Sequence, residues 1–352
     1  MTTAASVEDI TAESMRAARR AIEYYFEDEA TDGLPVVPPI QEFVDEFLAT
    51  TRRDPDEVIS SQEHLHRTLT VRQAAINAVM AGCKPEYFPV LLTAIEALDG
   101  APSWRGGLLQ STTGQAQLIL VNGPVRNQLG FNYQQGVYGP GFRPNATIGR
   151  AVRMIIMNVF GIRPGELDQG CQGSSSRYTF CIAENEEDSP WEPFHVEKGL
   201  SPEESAVSTT FARGLLHVEQ RHSQEPRTIL SSIGDTMAYG GGVDPGHGLE
   251  VHPPGNGGGI AVIGPEHANL IAAKGWSKKD AKECLWEVYG RTVGELRRAG
   301  KPWGLDGRPD DEFIRFGRSP DAINIIVAGG YNCGISSVIM GAGLTTKAIP
   351  SS

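Results

Sequence analysis

Three short apolar runs that each end in glycine limit the fold more than any other feature of this chain. They are LILVNGP (Leu118–Pro124), IAVIGP (Ile260–Pro265) and INIIVAGG (Ile323–Gly330). Runs of this length, bounded by glycine or proline, suit buried strands and are too short for core helices or membrane spans. A strand leaving through a tight glycine turn into a helix is the βα unit of mostly parallel sheets, where ligands collect beyond the carboxyl ends of the strands. The expected fold is therefore α/β, with two lobes built from strand–Gly turn–helix units and long Gly/Pro-rich loops. The first two runs share the order strand, Gly-Pro, polar turn, which suggests related lobes. The division read from the chain is residues 1–69 as an N-terminal helical and extended segment, 70–200 as the first lobe, and 201–352 as the second lobe carrying a Gly-rich loop at 234–259.

Other segments have readable local structure. Met15, Ala18, Ile22 and Phe26 recur at helical spacing between Ile10 and Glu29, and a short helix follows DGLPVVPP near Gln41 to Thr50. Thr70 is a helix N-cap for AINAVMAG, which stops at Gly82; a second helix restarts at Pro85. Asn145 is read as the cap of a helix reaching Phe160, Glu203 to Gln220 as a helix, and Ser277 with Asp280 as a capping box opening a helix to about Gly300. The segment after Gly330 is read as a turn leading into helix.

Composition narrows the partners. Lys and Arg total 31 against 43 Asp and Glu, a formal charge of −12, the wrong sign for holding a nucleic acid. No basic leader precedes an apolar stretch at the start and no run is long enough to cross a bilayer, so the expected address is cytoplasmic and no membrane partner is expected. Five cysteines without CxxC pairs suit a reducing compartment.

AINAVMAGCKPEYFPV (Ala75–Val90), together with DGLPVVPP, VNGPVRNQLGFN, NATIGRA, FCIAENEEDSPWEPFHVEKG and PEHANLIAAKGWSKKDA, resembles an uncharacterised bacterial family across most of the chain. More loosely, the chain is similar to the family named for a UGSC motif, in which selenocysteine or cysteine before Gly-Ser-Cys implies thiol or selenol redox chemistry. That motif is absent. Cys171-Gln172-Gly173-Ser174 and Cys333-Gly334-Ile335-Ser336 both lack the second cysteine, so two-thiol chemistry does not carry over.

The candidate chemistry lies in the irregular stretches. His64 and His66, one residue apart, share a face in extended structure and can chelate a metal; the plain alternative is exposed polar surface. Cys83 lies between a helix end and a helix start, where the dipole and backbone donors would favour a thiolate, unless it is a small buried apolar residue. The loop from Asn122 to Arg150 offers Asn122, Arg126, Arg143, Asn145 and Arg150 on a glycine-rich backbone before a helix N-terminus, an anion-binding pattern, or else a subunit contact. It matches neither a P-loop nor GxGxxG, so no nucleotide cofactor is indicated.

In CIAENEEDSPWEPFH the apolar lead-in puts Glu184 at a strand end, ahead of Glu186, Glu187 and Asp188, as a general base, with His195 as acid, base or ligand. Asp235, His247 and His252 lie in the glycine-rich stretch and could hold a divalent metal, or the stretch is a lid or subunit-embracing loop. Cys333 follows a buried strand as a nucleophile or ligand. Together these residues suggest an enzyme acting on a small anionic or sulfur-containing molecule through a Cys/His/carboxylate site, a lyase or hydrolase with metal assistance as an option. The competing expectation is a noncatalytic or half-site subunit completing a related partner. A homo-oligomer or a complex with a related subunit is expected in either case.

Overall fold

In the computed structural model, residues 11–101, 104, 107–239, 258–301, 304–331, 334–341 and 343–350 are described. The fold is α/β. Its helices are α1 (Ala12–Glu27), α2 (Gln41–Leu48), α3 (Val71–Ala81), α4 (Phe88–Asp99), α5 (Val125–Leu129), α6 (Arg143–Asn158), α7 (Phe194–Glu197), α8 (Pro226–Tyr239), α9 (Pro265–Ala273), α10 (Lys278–Val288) and α11 (Val293–Arg298). Its strands are β1 (Val58–Gln62), β2 (Arg67–Thr70), β3 (Ala116–Asn122), β4 (Cys181–Ala183), β5 (Ala206–Glu219), β6 (Gly259–Ile263), β7 (Gly290–Thr292), β8 (Phe313–Arg315), β9 (Ile323–Val327), β10 (Ile335–Gly341) and β11 (Thr345–Ala348).

The central sheet has seven strands in the order β4-β3-β5-β10-β6-β9, with β11 also paired to β5. It is mixed and not mostly parallel: β3 runs parallel to β4 and β6 to β9, while every pairing of β5 and β10 is antiparallel. The order reads the same from either edge. Each half is a parallel pair followed by a third strand that returns antiparallel on the inner side, and the two returning strands, β5 and β10, meet in the middle.

The two Gly-Pro turns occupy equivalent places in these halves. Val125 N–H donates to Ser205 Oγ at 3.0 Å before β5, and Gly264 N–H donates to Ser336 Oγ at 3.1 Å in β10. A Cβ on Gly123 would lie 2.2 Å from the Glu204 carbonyl oxygen, and one on Gly264 would lie 2.2 Å from that of Ile335. Glycine is thus required at both turns by the close passage of the returning strand.

The sheet curls until its edges meet. Asn185 N–H, just past β4, donates to the Val327 carbonyl of β9 at 2.7 Å. Leu118, Leu120, Ile182, Ile260, Val262 and Ile326 fill the concave face of the curl. Alternate residues of the same strands face outward onto two helical layers, α3, α4 and α6 over one half and α8, α9 and α10 over the other. Among the described residues no helix is long and apolar enough to cross a membrane.

Several local expectations meet a different outcome. The segment read as a helix from Glu203 to Gln220 is the long strand β5. Residues 206–212 are all buried, so no solvent-facing helical stripe exists, and Val207, Thr209 and Thr210 are β-branched. The segment after Gly330 returns as β10, not as helix. Asn145 lies inside α6, whose N-cap is Phe142. The Ser277/Asp280 capping box forms, but its helix ends at Val288, and a strand and α11 follow. Thr70 caps α3 with Gln73 in a full capping box, and Gly82 ends it in the left-handed conformation.

Candidate functional site

Asn122 closes β3 and Glu184 follows β4. Asn122 shares the strand face of Leu118 and Leu120, and Glu184 that of Ile182, so both project into the carboxyl end of the concave core. Both are fully buried. The Glu184 carboxyl accepts from Asn122 Nδ2 at 2.5 Å, from Phe194 N–H at 2.7 Å and from Val327 N–H at 3.4 Å. It therefore spans the seam between the two edge strands. Burial raises its pKa above the ordinary carboxyl value; the charge of Lys278 and the donors from Phe194 and Asn122 oppose that shift.

His195 sits on the single turn of α7 that Pro193 opens, and its ring is also fully buried. Its Nδ1 lies 3.7 Å from Glu186 Oε1, and neither ring nitrogen has a hydrogen-bond partner within the protein. Asn122 Oδ1 is likewise unpaired. A buried polar atom without a partner costs about 1–3 kcal/mol, so three of them in one cluster call for an occupant or a chemical role. The same Glu186 Oε1 accepts from Asn122 Nδ2 at 2.9 Å and Gly123 N–H at 2.8 Å.

Arg126 belongs to this cluster but is not open to a ligand. Its buried guanidinium donates to the Glu184 carbonyl at 2.6 Å, to Glu186 Oε2 at 2.9 Å and to both oxygens of Glu187. The expected anion loop therefore spends its arginines on the protein itself. Arg143 donates to the carbonyls of Gly82 and Cys83. Arg150 grips Asp32 through two 2.8 Å bonds and also reaches the carbonyls of Leu34, Pro35 and Ala81. Asn145, read as a helix cap and anion ligand, ties its side chain to both backbone groups of Asn132 and to the Cys181 carbonyl.

The thiol expectation also changes. Cys83 is buried in the outer apolar core, and burial pushes its thiol up to about 12, against the smaller opposing effects of Thr147 and Arg143. A thiolate is not favoured there. His64 and His66 are not in extended structure: His64 lies in a 3-10 turn, bonded to Gln110 Oε1 at 2.7 Å, and His66 caps that turn in the left-handed conformation. The shared-face argument for a chelating pair fails for that reason. Asp235 is an exposed residue of α8. His247, His252 and Cys333 lie outside the described residues. Among the described residues, no group of three or more His, Cys, Asp and Glu side chains is placed to hold a metal ion.

Of the residues singled out from the sequence, the structure brings together Asn122, Arg126, Glu184 and His195. Reading the sequence missed Glu197, Lys278 and Lys282, which border the same helix. Glu197 is held by Lys282 Nζ at 2.5 Å and Lys278 Nζ at 3.0 Å. Burial works against the charge on Glu197, but the two ammonium groups hold its pKa down at about 2. These side chains line one wall of a cleft of about 280 Å³, with Glu192, Pro320 and Asp321 around it. Lys278 and Lys282 are four apart on one helix, a signal that was present in GWSKKDAKE. Comparison of the chain with protein-family models, curated proteins and solved structures finds no match.

Proposed function

We propose that this protein is an enzyme of acid–base type, a lyase or hydrolase that acts on a small polar molecule at the carboxyl end of the curled sheet. Glu184 carries the proton. His195, with Glu186 beside it, is the second acid–base group, and Asn122 orients both carboxyls. The observation that carries this reading is His195, whose two ring nitrogens are buried and unpaired next to a carboxylate, as in a site awaiting a donor and an acceptor. A carboxyl whose pKa is raised by burial supports it, since a general acid works best when its pKa lies near the working pH. Neither Cys83 nor Cys181 supplies a thiolate, because both are buried with raised pKa values. An anionic substrate is not required, because Arg126 and Arg150 are already paired with Glu186, Glu187 and Asp32.

A second reading has its own observation. The bond from Val327 N–H to Glu184 makes this residue a clamp between edge strands, as suits a noncatalytic subunit. Incubating the purified protein with a soluble metabolite extract, and following depletion and formation of compounds by mass spectrometry, separates the two. The enzyme reading expects a matched substrate and product with the wild type, slowed about 100-fold or more in Glu184→Gln and His195→Gln. Equal conversion by Glu184→Gln would remove Glu184 from the chemistry. No conversion by the wild type would favour the clamp.

A further inference from the structure

The segment that carries Phe194 and His195 is tied to the other half of the fold by contacts with α9, α10 and the turn between them. Asn269 Nδ2 donates to the Asp188 carbonyl at 2.9 Å, and Trp191 Nε1 donates to the Trp276 carbonyl at 3.3 Å. Lys278 supplies two more ties. Its Nζ donates to the Glu192 carbonyl at 3.2 Å and lies 3.0 Å from Glu197 Oε2. The Lys278 side chain is only 9 % exposed, a burial that lysine accepts when it is paired. Lys282, one turn further along α10, meets the other oxygen of Glu197.

These ties bracket α7, a single turn of four residues without a side-chain cap, and one turn does not hold its own shape. The Phe194 ring anchors it in the concave core and fixes its depth. Rotation about that anchor is fixed by the contacts at Glu192 and Glu197, on either side of the ring. That rotation decides whether Phe194 N–H points at the Glu184 carboxyl, to which it donates at 2.7 Å, and His195 follows on the same turn. Glu184 also faces Asn122 Nδ2 from β3, Val327 N–H from β9 and the Glu186 carboxylate beyond β4, and Arg126 of α5 donates to its main-chain carbonyl. Lys278 is the charge from the far half that acts on this carboxyl, against the effect of burial.

We propose that Lys278 is a positioning residue of this site, holding α7 from the opposite half of the fold so that Phe194 N–H stays on Glu184. This rests on the acid–base reading of Glu184. The test is the protonation midpoint of the Glu184 carboxyl, read by infrared difference spectroscopy over a pH series against Glu184→Gln in each background. In Lys278→Met the midpoint should rise by about one pH unit, a gain of about tenfold in proton affinity, because a donor and a positive charge that favour the ionised form are both lost. Lys278→Arg keeps charge and donors and should restore most of the shift. Lys282→Met removes a charge from the same carboxylate but leaves Lys278 in place, and should move the midpoint far less. Glu197→Ala cuts the tie from its other end and keeps the test open if Lys278→Met does not fold. Release of the turn raises the midpoint there, whereas loss of a nearby negative charge alone lowers it. An unchanged midpoint in Lys278→Met, an equal rise in Lys282→Met, or a fall in Glu197→Ala would each overturn the proposal with the acid–base reading intact. A wild-type carboxyl already ionised at pH 4.5 would remove that reading, and the proposal with it.

Discussion

Replacing Arg150 by methionine should destabilise the fold and should not act as the loss of a ligand contact. Both nitrogens of its fork meet Asp32 at 2.8 Å, with side-chain exposures of 14 % for Arg150 and 3 % for Asp32. Three backbone carbonyls, of Leu34, Pro35 and Ala81, also accept from it, so α6 is tied to the extended segment after α1 and to the end of α3. Methionine keeps the aliphatic stem but leaves the Asp32 carboxylate buried and unpaired. Removing one member of a buried pair costs about 3–5 kcal/mol, and the partial exposure of Arg150 places this case near about 3 kcal/mol. Urea denaturation followed by circular dichroism is the assay. With a slope of about 3 kcal/mol per molar, the midpoint should fall by about 1 M. Asp32→Asn in the same chain should recover much of the loss, because no buried charge then remains. An Arg150→Met protein within about 0.5 kcal/mol of wild type would refute the reasoning, since that is the behaviour of an uncoupled surface residue.

Two further outcomes follow. Burial lowers the pKa of His267, whose Nδ1 accepts from Ser336 Oγ at 2.8 Å and whose Nε2 donates to the Gln220 carbonyl at 2.9 Å. The unfolded chain then binds the proton that the folded one refuses, so stability is full above about pH 6.5 and falls as the pH drops below it. Melting temperature against pH should lose this acid limb in His267→Gln; an identical limb in the variant would assign it to other groups. Native protein treated with a thiol reagent should label exposed Cys171 rapidly and leave Cys83 and Cys181 untouched until unfolding. Peptide mapping that finds Cys83 labelled in the native state would contradict its burial.

Much of the frame was legible before any coordinates. The three glycine-ended runs are β3, β6 and β9, and Thr70 and Ser277 open their helices as capping boxes because those motifs are local. β5 was not legible, since a strand paired on both sides and buried over its first seven residues lacks there the alternation that marks a half-exposed one. Glu184 could be ranked above its acidic neighbours because the apolar run before it places it at a strand end. The roles of Arg126 and Arg150 could not be read, because their acceptors lie about 60 and 118 residues away in the chain. The clamp across the seam depends on the curl of the whole sheet, which no local pattern encodes.

The central claim is that Glu184 holds a proton that ordinary carboxyls have lost. Infrared difference spectroscopy between the wild type and Glu184→Gln, taken across a pH series, reads that proton from the carbonyl stretch of a protonated carboxyl. The band should persist above pH 4.5, the ordinary value for a glutamate, and be missing from the variant at every pH. A Glu184 band that vanishes at or below pH 4.5 would show the residue ionised in the folded protein, and the acid–base role assigned to it would fall.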